Sequence, residues 1–241
     1  MKKIFFALFA VISITAYAQP WENIKGNGLV KKESRTVSDF TSLASHGSMD
    51  VQIAYGSSDK IEVEADENLL SYIETTVENG VLSIKSKKNV NLKSRSKMVV
   101  YVSMSKITSV QLSGSGNING QGAFSNADKT RIGVSGSGNI KLNFDSFREL
   151  DLAIAGSGNM DLKSKNATSN INAAISGSGN IDCSDVSTND VYAKISGSGN
   201  IKVFASHGID ARISGSGNVF YKGNSPDISS KIAGSGKVSK M

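Results

Sequence analysis

The heptapeptide ISGSGNI occurs at 175–181 and again at 195–201. Close variants stand at 112–118 (LSGSGNI), 134–140 (VSGSGNI), 154–160 (IAGSGNM), 213–219 (ISGSGNV) and 232–238 (IAGSGKV). The first glycines of successive copies are 22, 20, 21, 20, 18 and 19 residues apart. A unit this short cannot enclose its own hydrophobic face. Copies must therefore bury one another, and the architecture has to be a repeat array.

Six, four and two residues before the first glycine stand Leu150, Leu152 and Ile154 in one copy. The next copies place Ile171, Ala173, Ile175, then Val191, Ala193, Ile195, then Ile209, Ala211, Ile213. This period of two marks a strand with one buried face. Alternation resumes after the motif, as in Ile140 and Leu142, Met160 and Leu162, Ile201 and Val203.

Each copy thus reads as strand, corner, short strand and return. The expected corner residues are Gly114, Gly116, Asn117; Gly136, Gly138, Asn139; Gly156, Gly158, Asn159; Gly177, Gly179, Asn180; Gly197, Gly199, Asn200; Gly215, Gly217, Asn218; and Gly234, Gly236. Glycine reaches positive φ and permits close backbone approach, and asparagine tolerates tight turns. All length variation falls in the returns NFDSF, KSKNATSN, DVSTND, FASHG and KGNSPD, which carry turn letters.

A β-solenoid of ~20-residue coils and an array of β-hairpins both satisfy this pattern. Near-identity at the corner favours the solenoid, in which like residues stack on like. A propeller blade needs about forty residues, twice the period. On the solenoid reading Gly177 has a coil on each side and Gly234 only one, so a side chain is expected to cost less at Gly234.

Before residue 106 the chain is also β-rich: KIEVEA at 60–65, MVVYVSM at 98–104, and VENGVLSIKSK at 77–87, whose Asn79-Gly80 signals a hairpin. DENLLSYIE is the single helix candidate, with Asp66 at the N-cap position, and is a candidate cover for one end. HGSMDVQI at 46–53 reads as a worn corner, with Asp50 in the asparagine slot. The expected organisation is a leader at 1–18, an irregular β-rich part at 19–105, and regular coils at 106–241 of the same domain.

The leader assignment rests on Lys2-Lys3, the apolar run Ile4–Ile14, and the small–x–small site Ala16-Tyr17-Ala18. No cysteine follows to carry a lipid. Without Lys2 and Lys3, 25 basic and 21 acidic side chains leave a mild, scattered +4, and no basic stripe with interleaved aromatics points to nucleic acid. Cys183 aligns with Leu142, Leu162, Val203 and Tyr221, so it reads as a buried apolar residue rather than a reactive thiol.

Phosphate-binding loops need a helix after the glycines, and strands follow here. Calcium rolls carry Asp where this motif has Asn or Ser. No cofactor or metal is expected. An enzyme would need convergent acids. The candidates Asp151, Asp161, Asp182 and Asp190 lie among Lys141, Lys163 and Lys202 and read as solvated surface charges. His46 and His207 each precede a turn glycine.

The repeated G-S-G-N-[IMV] corner after an export signal, together with MDVQI … KIEVEADENLLSYIETTVENGVLSI, resembles a bacterial family of putative auto-transporter adhesins, whose repeat is called the head GIN domain. The likeness runs from Ser38 to the C-terminus. It implies a right-handed single-stranded β-helix, placement at the cell surface or in the envelope, and adhesion to a surface or glycan, and it brings no catalytic residues. No membrane β-barrel follows AGSGKVSKM in this sequence, a departure from the auto-transporter part of the family's name. The expected function is an exported, non-enzymatic binding or structural module. The rivals are a β-helix polysaccharide lyase or hydrolase, and a scaffold that polymerises through its last coil. Ligand, attachment and oligomeric state are not encoded in any motif.

Overall fold

The computed structural model describes residues 21–57 and 60–241. The leader expected at 1–18 lies outside them. Strands leading into the corners stack in parallel and in register, so that Ile154 pairs with Ile175, Ile175 with Ile195, Ile195 with Ile213, and Ile213 with Ile232. Strands leaving the corners do the same, with Asn159 beside Asn180, Asn200, Asn218 and finally Lys237 in turn. A hairpin array would pair neighbours antiparallel. Parallel pairing at matching slots makes the chain a β-solenoid.

The inward alternates form one continuous core along the stack. Cys183 is fully buried among them, and desolvation pushes its thiol pKa upward, helped by Asp182 and Asp161. Aromatic side chains fill the interior of the earlier coils. The rings of Phe124 and Phe144 meet edge-on at 6.1 Å, and those of Phe144 and Phe147 at 5.1 Å. The return NFDSF is consequently not a turn. It lies inside the strand Asn139–Gly156, because Phe144 and Phe147 point into the core and the chain absorbs the bend through register shifts.

The corners set the spacing of the stack. Positive φ recurs at Gly47, Gly114, Gly136, Gly156, Gly177, Gly197, Gly215 and Gly234. The carbonyl of Gly136 accepts the N–H groups of both Ser157 and Gly158 from the next coil, and Gly156 serves Ser178 and Gly179 likewise. A β-carbon on Gly177 would lie 2.3 Å from the carbonyl oxygen of Gly156. One on Gly179 would lie 2.3 Å from that of Gly158, although Gly179 does not have a positive φ.

Each collision faces the preceding coil, which corrects the expectation for the terminal copy. Gly234 would strike the Gly215 oxygen at 2.2 Å, as tightly as any interior corner. The corner with open space is the first, Gly47, which has nothing within 4 Å.

The asparagines form a hydrogen-bonded ladder. Nδ2 of Asn139 donates to Oδ1 of Asn117 at 2.9 Å, and the pattern continues through Asn159, Asn180, Asn200 and Asn218. Asp50 begins it, accepting both the backbone N–H and Nδ2 of Asn117 at 2.9 Å. The worn corner at 46–53 is thus the first coil, with Gly47 paired to Gly114.

The two ends differ. Beyond the first coil, Ser42–Gly47 pairs with Val81–Ser86, and Asp50–Tyr55 pairs with Val99–Met104. Antiparallel strands then close the sheet: Ile73–Glu78 beside Val81–Ser86, Lys60–Asp66 beside Val99–Met104, and Val30–Thr36 beside Lys60–Asp66. Asn79 and Gly80 both take positive φ at the hairpin turn.

The helix candidate is a short 3-10 turn, Glu67–Tyr72, which buries Leu69 and Leu70. Asp66 makes no side-chain cap there. Its buried carboxylate is claimed by the Arg95 backbone N–H at 2.8 Å and the hydroxyls of Ser96 and Ser94, which hold its pKa below the usual range. At the other end, Ile228 and Ile232 of the last coil are each 41% exposed, whereas Ile209 and Ile213 beneath them are 3% exposed.

Three alanine substitutions separate the corner's two constraints. Gly47→Ala tests positive φ alone and is expected to cost ~1–2 kcal/mol. Gly179→Ala tests close approach alone, and Gly177→Ala carries both, for ~2–4 kcal/mol. Denaturant midpoints check the order, and equal losses at Gly47 and Gly177 would show that coil contact contributes nothing. Cys183→Val is expected to stay within ~1.5 kcal/mol, as a near volume-conserving core exchange. Native Cys183 is expected to react with a thiol reagent only on unfolding, and prompt labelling would contradict its burial.

Candidate functional site

Corner asparagines and glycine carbonyls are engaged with neighbouring coils, so the search for recognition chemistry turns to the outward slots of the two strand faces. On the face after the corner, one slot reads Lys141, Asp161, Asp182, Lys202 on successive rungs, and each acid has a lysine beside it. Lys141 meets Asp161 at 3.3 Å, Lys202 meets Asp182 at 3.5 Å, and Asp185 lies 2.9 Å from Lys163 and 3.5 Å from Lys222. Asp161 and Asp182 are indeed adjacent across a rung, but each has its own lysine. Asp151 belongs to the other face. Asp190 sits at a return, 2.7 Å from Nδ1 of His207. The four acids therefore do not converge on one point. His46 is exposed beside the first corner, paired across the rung with Ser113.

The face before the corner carries a groove of about 640 Å³. Two stacked ladders build it. One runs Arg131, Asp151, Asn172, Tyr192, Asp210, and the other Gln111, Gly133, Ala153, Ala174, Lys194, Arg212. Ala153 and Ala174, small on consecutive rungs, form the floor, and Gly133 on the rung before them is buried beneath Gln111. A β-carbon on Gly133 would meet the end of the Gln111 side chain, which lies over it and would have to swing aside. Larger side chains stand at the rim, and Tyr192 is 54% exposed.

Asp151 is well braced. Partial burial pushes its pKa up, but a 2.8 Å hydrogen bond from Asn172 and the charges of Lys129 (3.1 Å) and Arg131 outweigh that and hold it below the usual range. Such a carboxylate stays ionised and serves as a fixed acceptor. A second recess of about 560 Å³ includes Gln52, Lys60, Tyr101 and Gln121. Its aromatic ring is already covered, with Lys32 4.3 Å from the Tyr101 centroid. The Tyr192 ring has no such cover among the described residues.

These groove residues are invisible to a search for motifs. The signal that finds them is the repeat alignment read at the slots five and three before the first glycine, where side chains shrink to Gly, Ala, Ala. A second omission lies at the returns. Thr168 Oγ1 donates to the Arg148 carbonyl, and Thr188 Oγ1 to that of Ser169, so hydroxyls tie coil to coil opposite the corners.

His207 supplies a pH test. Its hydrogen bond to Asp190, then the charges of Asp190 and Asp227, raise its pKa above the ordinary 6.5. A raised folded value means the pair stabilises fully below the unfolded-state pKa and fades as pH rises through the folded one. The thermal midpoint of His207→Gln is expected to fall below that of the parent in acid and to converge with it on the alkaline side. A gap that widens with pH would reverse the sign.

No curated protein matches the chain. Among solved structures, it resembles a crystal structure of a putative adhesin from Bacteroides fragilis, with a TM-score of 0.80 at 18% identity over 90% of this chain and 100% of that one. A putative adhesin from Parabacteroides merdae aligns with a TM-score of 0.71 at 25% identity, over 91% and 99%. A putative lipid binding protein from Parabacteroides distasonis aligns with the same TM-score and identity, over 91% and 100%. The family model described as "Putative auto-transporter adhesin, head GIN domain" matches residues 39–225. With that span covering the first coil and nearly all the regular ones, the chain belongs to the family of putative auto-transporter adhesins with a head GIN domain.

Proposed function

We propose that this protein is an exported, non-enzymatic binding module of the cell envelope, and that it holds a glycan in the groove before the corner. Removal of residues 1–18 delivers it, and the corner residues serve the scaffold rather than the ligand. The observation that carries this reading is the Tyr192 ring, exposed beside a floor of Ala153 and Ala174 and ringed by fixed polar groups.

An aromatic ring binds the apolar face of a sugar, while carboxylate, amide and guanidinium groups bind its hydroxyls. The coil spacing of about 4.8 Å is close to the length of one pyranose in an extended chain, so successive rungs suit successive sugars. The ionised, well-paired Asp151 supports binding over acid catalysis, which needs a carboxyl able to keep a proton near neutral pH.

A glycan array probed with the mature protein tests this. Saturable binding without product release is expected, with at least about a tenfold loss in Tyr192→Ala. Cleavage or elimination products would support the lyase or hydrolase reading instead. Full retention of binding in Tyr192→Ala would remove the groove from consideration.

A further inference from the structure

On the outward slots after the corner, four lysines meet acids: Lys141 with Asp161, Lys202 with Asp182, and Lys163 and Lys222 with Asp185. The groove's far end breaks this rule. Lys194, Arg212 and Lys231 occupy one slot on three consecutive rungs, directly paired in register. Arg212 is drawn to Asp210 on its own strand at 3.3 Å. Lys194 and Lys231 have no acidic partner among the described residues.

Like charges directly opposite each other across a parallel ladder are destabilising. The like pair on the other face, Asp161 beside Asp182, is compensated by a lysine on each outer rung, whereas Lys194 and Lys231 have no acid among the described residues, so ion pairing within the fold does not account for this stack. All three side chains are exposed. The next outward slot toward the corner, held by Ser196 and Ser214 on two of these rungs, adds hydroxyls beside them.

We infer that the Lys194–Arg212–Lys231 stack recognises repeating negative charge on a linear acidic glycan lying along the groove. This rests on the glycan reading above and specifies its chemistry. The cations recur at the rung spacing of about 4.8 Å, which suits a polymer bearing one carboxylate per sugar. They continue the same ladder as the floor residues Ala153 and Ala174, so a chain stacked on Tyr192 extends directly onto them. The concave floor favours a single chain over a planar membrane, whose headgroups would stop at the rim of Gln111, Arg131 and Tyr192.

The test compares polygalacturonate and alginate with fully methyl-esterified polygalacturonate, which keeps the sugars and loses the charge. Vesicles of phosphatidylglycerol form a further arm. Binding to the acidic polymers is expected to exceed binding to the ester by about tenfold and to weaken with added salt. Lys194→Ala/Lys231→Ala is expected to erase that preference while its thermal midpoint stays level or rises, because a repulsion has been removed. Lys141→Ala/Lys202→Ala, on the other face, is expected to leave binding unchanged.

Equal binding of acid and ester would overturn the charge assignment and leave the glycan reading standing. Absence of binding to acidic and neutral glycans alike would overturn both. Binding confined to phosphatidylglycerol vesicles, or a Lys194→Ala/Lys231→Ala protein that still prefers the acids, would also refute the inference. A large fall in that variant's stability would show the stack to be structural.

Discussion

Coil rests on coil through a glycine set against a carbonyl oxygen. At Gly177, Gly197 and Gly215 the place a β-carbon would take lies 2.2–2.3 Å from the oxygen of the preceding coil. That oxygen accepts N–H groups of the coil that follows. Any side chain would lift the corner off its acceptor and leave buried polar groups unpaired, a cost of ~1–3 kcal/mol for each group. The same contact holds the strands at sheet spacing, so the inward Ile and Leu columns meet without gaps. Because the collision always faces the preceding coil, the stack is directional. Its first corner, Gly47, is the one free of the contact, and the end that carries Gly47 is the one closed by antiparallel strands.

The asparagine ladder has the same polarity, and its ends explain two departures from the motif. A carboxylate has no donor, so Asp50 obliges Asn117 to present Nδ2 to it. Asn117 Oδ1 is then left to accept from Asn139, and the choice passes rung by rung to Asn218. The amide dipoles align, and aligned hydrogen bonds strengthen one another. Their donor ends point toward Asp50 and their acceptor ends toward Lys237, which stands across the rung from Asn218. Both exceptions to Asn therefore carry the sign of charge that an aligned row of dipoles favours at that end.

The sequence made the solenoid legible because its strongest constraint is steric and recurs through the seven copies: two glycines at each corner, with Ile, Leu or Val two residues before the first. Cys183 was readable for the same reason, since its slot holds Leu142, Leu162 and Val203 elsewhere. What lay hidden depends on context that a repeat does not encode. NFDSF has the letters of a turn, yet Phe144 and Phe147 are buried in the core and the segment runs on as strand. DENLLSYIE is too short to sustain an α-helix where Asp66 is already held by Ser94, Arg95 and Ser96. The side of the stack on which a corner glycine collides is a matter of backbone direction, which letters alone do not specify. The groove floor stands in the alignment as Ala153 and Ala174, but an outward slot carries no buried pattern to draw attention to it.

The separation between fixed and free slots is what makes this fold suited to recognition. Corner and inward positions are held by contact with two neighbours and cannot vary independently. Outward positions touch only solvent and the same slot on adjacent rungs, so size and charge can change there without disturbing the core. Two alanines in succession, Ala153 and Ala174, lower the surface by a side chain's height while the backbone runs on unaltered. Alanine has no side-chain rotamers to lose, so a ligand settling on that floor orders only the rim. For Tyr192, whose ring turns about two bonds, that loss is small, and for Lys194 and Arg212 it is larger. Affinity in such a groove thus depends chiefly on how well the ligand's own spacing matches the rungs, because the protein surface is already in place before binding.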